Sequence, residues 1–356
     1  MFAETELEDS GLSAFKQQTL QAWEPILTAR TVIPTFFIVG LSFIPIGVFL
    51  YHLSQAVQEQ TLEYTLCKSI QEPNTTCADL VRNKTCKCKL YFTLEEDYRK
   101  DVFLYYGLTN FYQNHRRYIR SGDDYQLSSY PQRLHMDCAP FRIYKSEEST
   151  TVLPIATCGG VANSQFNDTI TLQYEANQTQ TPVGLLNKKI AWPTDQNVQF
   201  FNPYGNTSTS GLFNDTSRSS FFNESIHQLD TEDLSPNLYQ DEDFMVWMRT
   251  AALPTFRKLF RRIDHSENYF KNSLPKGNYS LIIGYNFPVK DFDGTKAIII
   301  SNTTFLGGKN LFLAIAYMVV GALSLLTGVF LLIVHVRYGK KVEDMLDLDM
   351  YTPYSG

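Results

Sequence analysis

Two apolar stretches, one toward each end of the chain, constrain this sequence more than any other feature. The first runs from Val32 to Leu53 (VIPTFFIVGLSFIPIGVFLYHL) and the second from Leu311 to Val336 (LFLAIAYMVVGALSLLTGVFLLIVHV); neither contains Asp, Glu, Lys or Arg. Crossing a hydrocarbon core of about 30 Å takes roughly 20 helical residues, and both stretches exceed that. A core helix of a soluble domain rarely stays uncharged over such a length. The first stretch is longer than a signal-peptide core, begins only at position 32 and has no small-x-small cleavage site behind it. Two uncleaved transmembrane helices, residues 32–53 and 311–336, are therefore expected, with tails at 1–31 and 337–356 and a large polar domain at 54–310.

The flanking charges orient these anchors. Arg30 precedes the first, Glu59 and Glu63 follow it, and Arg337, Lys340 and Lys341 come directly after the second. The positive-inside tendency puts both termini in the cytosol and residues 54–310 on the lumenal or extracellular side, with Lys309 on the unfavoured side. All six cysteines (Cys67, Cys77, Cys86, Cys88, Cys138, Cys158) lie between the anchors, as disulfides of an oxidising compartment would. Zinc is the sharper alternative for Cys86 and Cys88, but C-x-C lacks the usual C-x-x-C chelate spacing and no histidine is near. N-x-S/T triplets begin at Asn74, Asn83, Asn167, Asn177, Asn206, Asn214, Asn223, Asn278 and Asn302, all between the anchors. An occupied triplet marks exposed surface, because a glycan forbids burial of its Asn.

The domain between the anchors reads as α+β, dominated by antiparallel strands with helical insertions. Tyr279–Phe287 (YSLIIGYNF) and Thr295–Ser301 (TKAIIIS) are strand-like, and Asp293-Gly294 between them predicts a β-hairpin. From Phe244 to Ile263, Phe256, Leu259, Phe260 and Ile263 recur at three- and four-residue spacing among four basic residues, which predicts an amphipathic helix that Pro254 starts or kinks. Residues 202–240, rich in Asn, Ser, Thr, Gly and Asp, predict a glycosylated surface excursion.

No catalytic constellation emerges. The sequence has no G-x-x-x-x-G-K-S/T, H-E-x-x-H or G-x-S-x-G motif. His115 beside Arg116 and Arg117 suggests either an anion site or, more plainly, a structural hydrogen bond. Asp241, Glu242 and Asp243 lack the spacing of a calcium loop and suit a helix N-terminus instead. The net charge of −6 falls mostly on the tails, leaving a central region without the basic surface that nucleic acid requires. No cofactor, metal or enzymatic activity is expected. In the anchors, Gly40 and Gly47 share one helical face, as do Gly321, Ser324 and Gly328. Such faces let helices pack closely in lipid, and with no polar pathway beside them they suggest docking elements, although packing of the two helices on each other is the simpler account.

Several long strings carry a more specific signal. FKQQTLQAWEPILTA (Phe15 to Ala29), YYGLTNFYQNHRRY (Tyr105 to Tyr118), CGGVANSQFNDT (Cys158 to Thr169), IAW with NVQFFNP (Ile190 to Pro203), EDFMVWMRTAALPTFRKLFR (Glu242 to Arg261), YNFPVKDFDGTK (Tyr285 to Lys296) and GGKNLFLAIAY (Gly307 to Tyr317) occur in this order. In them the chain resembles the cell division control protein 50 (transmembrane protein 30) family, the accessory β-subunits of type IV P-type ATPases that flip phospholipids. The resemblance implies a β-sandwich-like ectodomain with helical insertions that caps the pump's outer loops. The segment Phe15 to Ala29 would run along the cytosolic membrane face.

The implied role is non-catalytic: a heteromer with the ATPase, support of its exit from the endoplasmic reticulum and of its transport cycle, and contact with membrane lipids. The implied compartments are endoplasmic reticulum, Golgi, secretory vesicles and plasma membrane. The implied disulfides are Cys67 with Cys88, Cys77 with Cys86 nested inside it, and Cys138 with Cys158. Asn167 matches a family glycosylation site best and Asn177 next, with Asn74, Asn83, Asn278 and Asn302 as further candidates. Tyr91 stands where relatives carry a sequon Asn, and Pro193 follows IAW in place of a second Trp. The alternative is a two-helix ligand-gated channel subunit, which requires a polar pore stripe and self-association.

Overall fold

A computed structural model describes residues 28–81, 85–99, 101–128, 135–145, 152–155, 157–176, 179–202, 238–266, 269–304 and 307–339. The chain divides into two units: residues 55–309, and the two terminal segments with their long helices.

The terminal unit contains α1 (Ala29–Gln55) and a C-terminal helix, Leu311–Tyr338, of 27 and 28 residues. At about 1.5 Å per residue each is some 40 Å long, enough to span a bilayer. They run antiparallel. A Cβ at Gly40 would lie 2.5 Å from Leu325 Cγ and 2.9 Å from the Gly321 carbonyl oxygen, and one at Gly47 would lie 2.9 Å from Met318 N. Gly321 meets Ile44, and Gly328 meets Phe36 and Phe37. The glycines of these faces are thus spent on the contact between the two helices, and Ser324 is only partly buried. Of the two readings of these faces, packing of the two helices on each other is the one the contacts show: packing in lipid is driven by close approach, and the nearest available partner takes it. The Asn310 side chain caps the second helix by accepting from Leu313 N, while Asn310 N donates to Ser54 Oγ.

The unit at 55–309 is two antiparallel sheets face to face. One has five strands, in the order β1 (Glu59–Glu63), β13 (Lys296–Asn302), β4 (Val102–Leu108), β10 (Phe256–Ile263) and β9 (Leu185–Leu186). The other has four, β2 (Cys86–Leu94), β12 (Gly277–Tyr285), β7 (Thr169–Ala176) and β8 (Thr179–Pro182). Short ladders pair β3 (Tyr98–Arg99) with β11 (Ser273–Leu274) and β5 (Ile143–Lys145) with β6 (Val152–Pro154). Alternation, unbroken along β4, builds the interior: Val102, Leu104, Tyr106 and Leu108 of β4 turn inward, and Tyr279, Leu281, Ile283 and Tyr285 of β12 join the same core. The helical insertions are short: α2 (Cys77–Leu80), α3 (Arg116–Arg120), α4 (Asp124–Leu127) and α5 (Glu242–Met248), which makes the terminal helix Leu311–Tyr338 α6.

Two local expectations are corrected. The predicted hairpin is absent, because β12 pairs with β2 and β7 whereas β13 pairs with β1 and β4. Asp293 adopts a left-handed φ of 51°, but it ends a one-turn helix at Lys290–Phe292 in a connection that crosses between the sheets. The predicted helix from Phe244 to Ile263 is only helical as far as Met248, and Phe256–Ile263 is β10. A bulge explains the misleading period. Leu259 pairs with Tyr105 and Arg261 with Leu104, so Phe260 is an extra residue. Lys258, Phe260 and Ile263 are buried, and their two- and three-residue steps imitate a helix.

Candidate functional site

Five of the strings singled out in the sequence meet around α5, through Phe111, Val161, Ile190, Lys258 and Phe287. Its N-terminus uses three consecutive acids in three ways. Asp241 caps the helix by accepting from Asp243 N, and burial, with the neighbouring Asp243 charge, pushes its carboxyl up to about 7. The Glu242 carboxylate accepts the backbone N–H groups of Lys189, Ile190 and Ala191 at 2.6–2.8 Å, which fixes the IAW segment. Asp243 forms a two-pronged pair with Arg261 on β10. These carboxylates are therefore committed to protein partners.

The other end of α5 rests on a buried lysine. Lys258 Nζ donates to the carbonyls of Trp247 (2.6 Å) and Arg249 (2.9 Å), where unpaired helix carbonyls favour a cation. It also lies 4.8 Å from the Trp247 ring centroid. Burial lowers its pKa to about 7, against an ordinary value of about 10.4. Between those values the unfolded chain binds more protons than the folded one, so this lysine's destabilising contribution is complete below about pH 7 and is relieved as pH rises toward 10. Thermal unfolding of the wild type and of Lys258→Met at pH 7 and pH 9 checks this: the wild type is expected to gain on the variant at the higher pH.

Trp247 is fully buried and donates its indole N–H to the Val161 carbonyl at 2.7 Å. The ring sits with Phe111 (5.7 Å), Phe287 (6.0 Å) and Tyr106 (6.5 Å). Phe111 N donates to Pro254 O, and Ala251 N donates to Oε1 of the buried Gln113. These bonds lay the loop after β4 alongside residues 249–255. Between them Tyr112 and Leu253 are 56% and 67% exposed. Next along the chain, the Arg249 guanidinium stacks 4.5 Å from the ring centroid of Trp192, which is 61% exposed, and pairs with Asp195 at 3.4 Å. Exposed aromatic and leucine side chains thus form a rim on a rigid aromatic base, the composition of a protein-binding surface. His115 takes the plainer of its two readings: it caps α3 by accepting from Arg117 N.

A second buried charge joins the two sheets. Lys296 Nζ, fully buried at the start of β13, donates to Asp168 Oδ2 at 2.6 Å and to the Phe287 carbonyl at 2.7 Å. Asp168 Oδ2 also accepts from the Tyr64 hydroxyl, and Oδ1 accepts from Asn286 N and Phe287 N. Burial and the Asp168 charge raise the Tyr64 pKa well above the usual range, so its hydroxyl remains a donor. Burial lowers Lys296 to about 8, opposed by Asp168. Neither this network nor Lys258 was anticipated. Asp168 is hidden as the middle residue of a sequon, and Lys258 is recognisable only once Phe256, Lys258 and Phe260 are read as alternate strand positions.

The profile of the LEM3 (ligand-effect modulator 3) / CDC50 family matches residues 50–341. The chain belongs to this family. Cell cycle control protein 50A of Mus musculus is 46% identical over 338 residues, covering 92% of this chain and 89% of its own. Cell cycle control protein 50B of Homo sapiens is 42% identical over 346 residues, 93% and 95% of the two chains. A protein of Arabidopsis thaliana, named as an ALA-interacting subunit, is 34% identical over 336 residues, 93% and 91% of the two chains. This CDC50-family chain is thus an integral membrane protein and an accessory subunit of type IV P-type ATPase flippases, and the channel alternative is not favoured.

In this family member, disulfides join Cys67 to Cys88, Cys77 to Cys86 and Cys138 to Cys158. The sulfurs of Cys67, Cys77 and Cys88 lie within 4.8 Å of one another because two bridges stack, and as disulfides they offer no thiolate to a metal. Asn74, Asn167 and Asn278 are exposed, whereas Asn83 and Asn177 lie outside the described residues. Asn302 departs from the expectation of a glycan acceptor. It is 8% exposed, its Oδ1 accepts from Gln58 N, and its Nδ2 donates to Gln58 Oε1. A glycan there would displace both bonds from the interior. The segment from Phe15 and the excursion at 203–237 are outside the described residues.

Proposed function

We propose that this accessory subunit is non-catalytic, that its ectodomain lies outside the cytosol with both termini inside, and that it escorts its ATPase out of the endoplasmic reticulum and steadies its transport cycle. The match to the CDC50 family over residues 50–341 carries this reading. The topology is supported by the confinement of cysteines and sequons to residues 55–309 and by Arg337, Lys340 and Lys341 behind the second anchor. The rim of Tyr112, Trp192 and Leu253 is the ectodomain surface that meets the pump's outer loops. Its compartments are the endoplasmic reticulum, Golgi or secretory vesicles and the plasma membrane, wherever the pump is delivered.

Affinity purification of the tagged full chain from mild detergent tests the reading. A type IV P-type ATPase is expected in near-equal amount; recovery of this chain alone, above all as a trimer, would overturn it. Asn167, exposed ahead of β7, is the foremost proposed glycan acceptor, with Asn74, Asn177, Asn83 and Asn278 as further candidates. On gels after expression in mammalian cells, Asn167→Gln is expected to remove one glycan's mobility shift. Asn302→Gln is expected to leave the glycan pattern unchanged.

A further inference from the structure

A polar cleft of about 510 Å³ opens beside the turn between β2 and β3, lined by Glu95, Glu96, Asp97, Arg99, Lys276 and the Gln58–Asn302 pair. Its floor is fixed. Gln58 and Asn302 exchange side-chain and backbone hydrogen bonds, Gln58 Nε2 donates to Glu96 Oε2 at 2.7 Å, and Lys276 N donates to Asp97 Oδ1 at 2.7 Å. The side chains of Glu95, Arg99 and Lys276, by contrast, have no hydrogen bond or ion pair among the described residues. A second lobe of about 350 Å³ shares Gln58, Glu95 and Glu96 and reaches Lys309.

Both signs of charge thus stand uncommitted around a preorganised floor. Three carboxylates disfavour a bare phosphate, and Arg99 and Lys276 disfavour a simple cation. A ligand carrying both a phosphate and an ammonium group meets both sets, with the arginine fork matched to phosphate oxygens. The chain itself supplies the address. The cleft residue Ala56 is the first after α1, and Lys309 in the adjoining lobe is separated from α6 only by the cap Asn310. In the sequence Ala56 and Lys309 thus lie within two positions of the ends of two membrane-spanning helices, the segments around which such headgroups are concentrated.

We infer that this cleft binds the zwitterionic phosphate–ammonium headgroup of a membrane phospholipid. The inference stands on the cleft and the anchors, and does not depend on which pump the chain joins. Phosphatidylethanolamine carrying a headgroup diazirine, incorporated in phosphatidylcholine-free vesicles with the full chain, is the probe. Illumination and peptide mapping are expected to place adducts on the peptides containing residues 95–99 and Lys276. The double variant Arg99→Gln/Lys276→Gln is expected to lose about tenfold in labelling, as removal of about 1.4 kcal/mol of charge-assisted binding would produce. Excess inorganic phosphate should not compete.

Absence of adducts on these peptides, or equal labelling of the double variant, would overturn the inference. Competition by inorganic phosphate would overturn it in favour of a soluble anion. The variant's co-purification with the ATPase is followed in parallel and is expected to match the wild type. Its loss in the variant alone would reassign the cleft to partner contact, whereas its loss in the wild type would count against the pump assignment and leave the headgroup site standing.

Discussion

Asp168→Ala is expected to destabilise the ectodomain by about 3–5 kcal/mol, the range for removing one partner of a buried ion pair. Against a total stability of roughly 5–15 kcal/mol, that loss is enough to retain much of the protein in the endoplasmic reticulum. The reason is geometric. Asp168 receives Lys296, Tyr64 and two backbone N–H groups, with no water-accessible surface on either charged side chain. Alanine strands all four donors. Without the carboxylate, burial pushes Lys296 further below its present value near 8, so the lysine sheds its proton and recovers part of the cost.

Two controls separate charge from packing. Asp168→Asn keeps an acceptor for Asn286 N and Phe287 N, and combined with Lys296→Met it removes the buried charge as well. The double variant is expected to melt above Asp168→Ala. All these variants preserve the triplet at Asn167, so glycan loss does not confuse the result. Thermal unfolding of the full chain in detergent, followed by intrinsic fluorescence, decides the matter: an Asp168→Ala melt matching the wild type would show that the pair stabilises nothing.

What was legible in the sequence follows from how strongly physics constrains each part. The anchors were readable because a hydrocarbon core tolerates no unpaired charge, so their composition is nearly forced. The sheet-rich character of the ectodomain was readable from alternation, as in β4. The strand at 256–263 was not, because the bulge at Phe260 shifts the inward face by one residue and disguises a period of two. The chain reversal at Asp293-Gly294 was correctly placed but wrongly paired: a turn dipeptide fixes a local φ, whereas strand partners are chosen by the interior on each side. The glycine faces of α1 and α6 illustrate the same limit. Spacing revealed that something packs closely there, and only the fold revealed that each helix is the other's partner. The charges at Asp168, Lys258 and Lys296 were hidden because a lone charged residue on a strand carries no mark of burial until its neighbours in space are known.

Trp247→Ala should be the most damaging single change near the proposed pump-binding rim, costing about 3–5 kcal/mol. It empties a fully buried site among Phe111, Phe287 and Tyr106 and leaves the Val161 carbonyl without its donor. It also removes the ring beneath Lys258, the residue that ties the end of α5 to β10. Trp247→Phe retains most of the packing but not the indole N–H, and a loss of only about 1–3 kcal/mol is expected from the unsatisfied carbonyl. Because α5 holds both the IAW segment and residues 249–255, either change should weaken pump recovery in step with its effect on melting. Trp192→Ala is the informative contrast. That ring is exposed and contacts Arg249 from the outside, so melting should stay near the wild type while recovery of the ATPase falls. If instead Trp192→Ala leaves pump recovery intact and only Trp247 variants lose it, the rim is a supported surface without a partner, and the pump's outer loops must meet the ectodomain elsewhere.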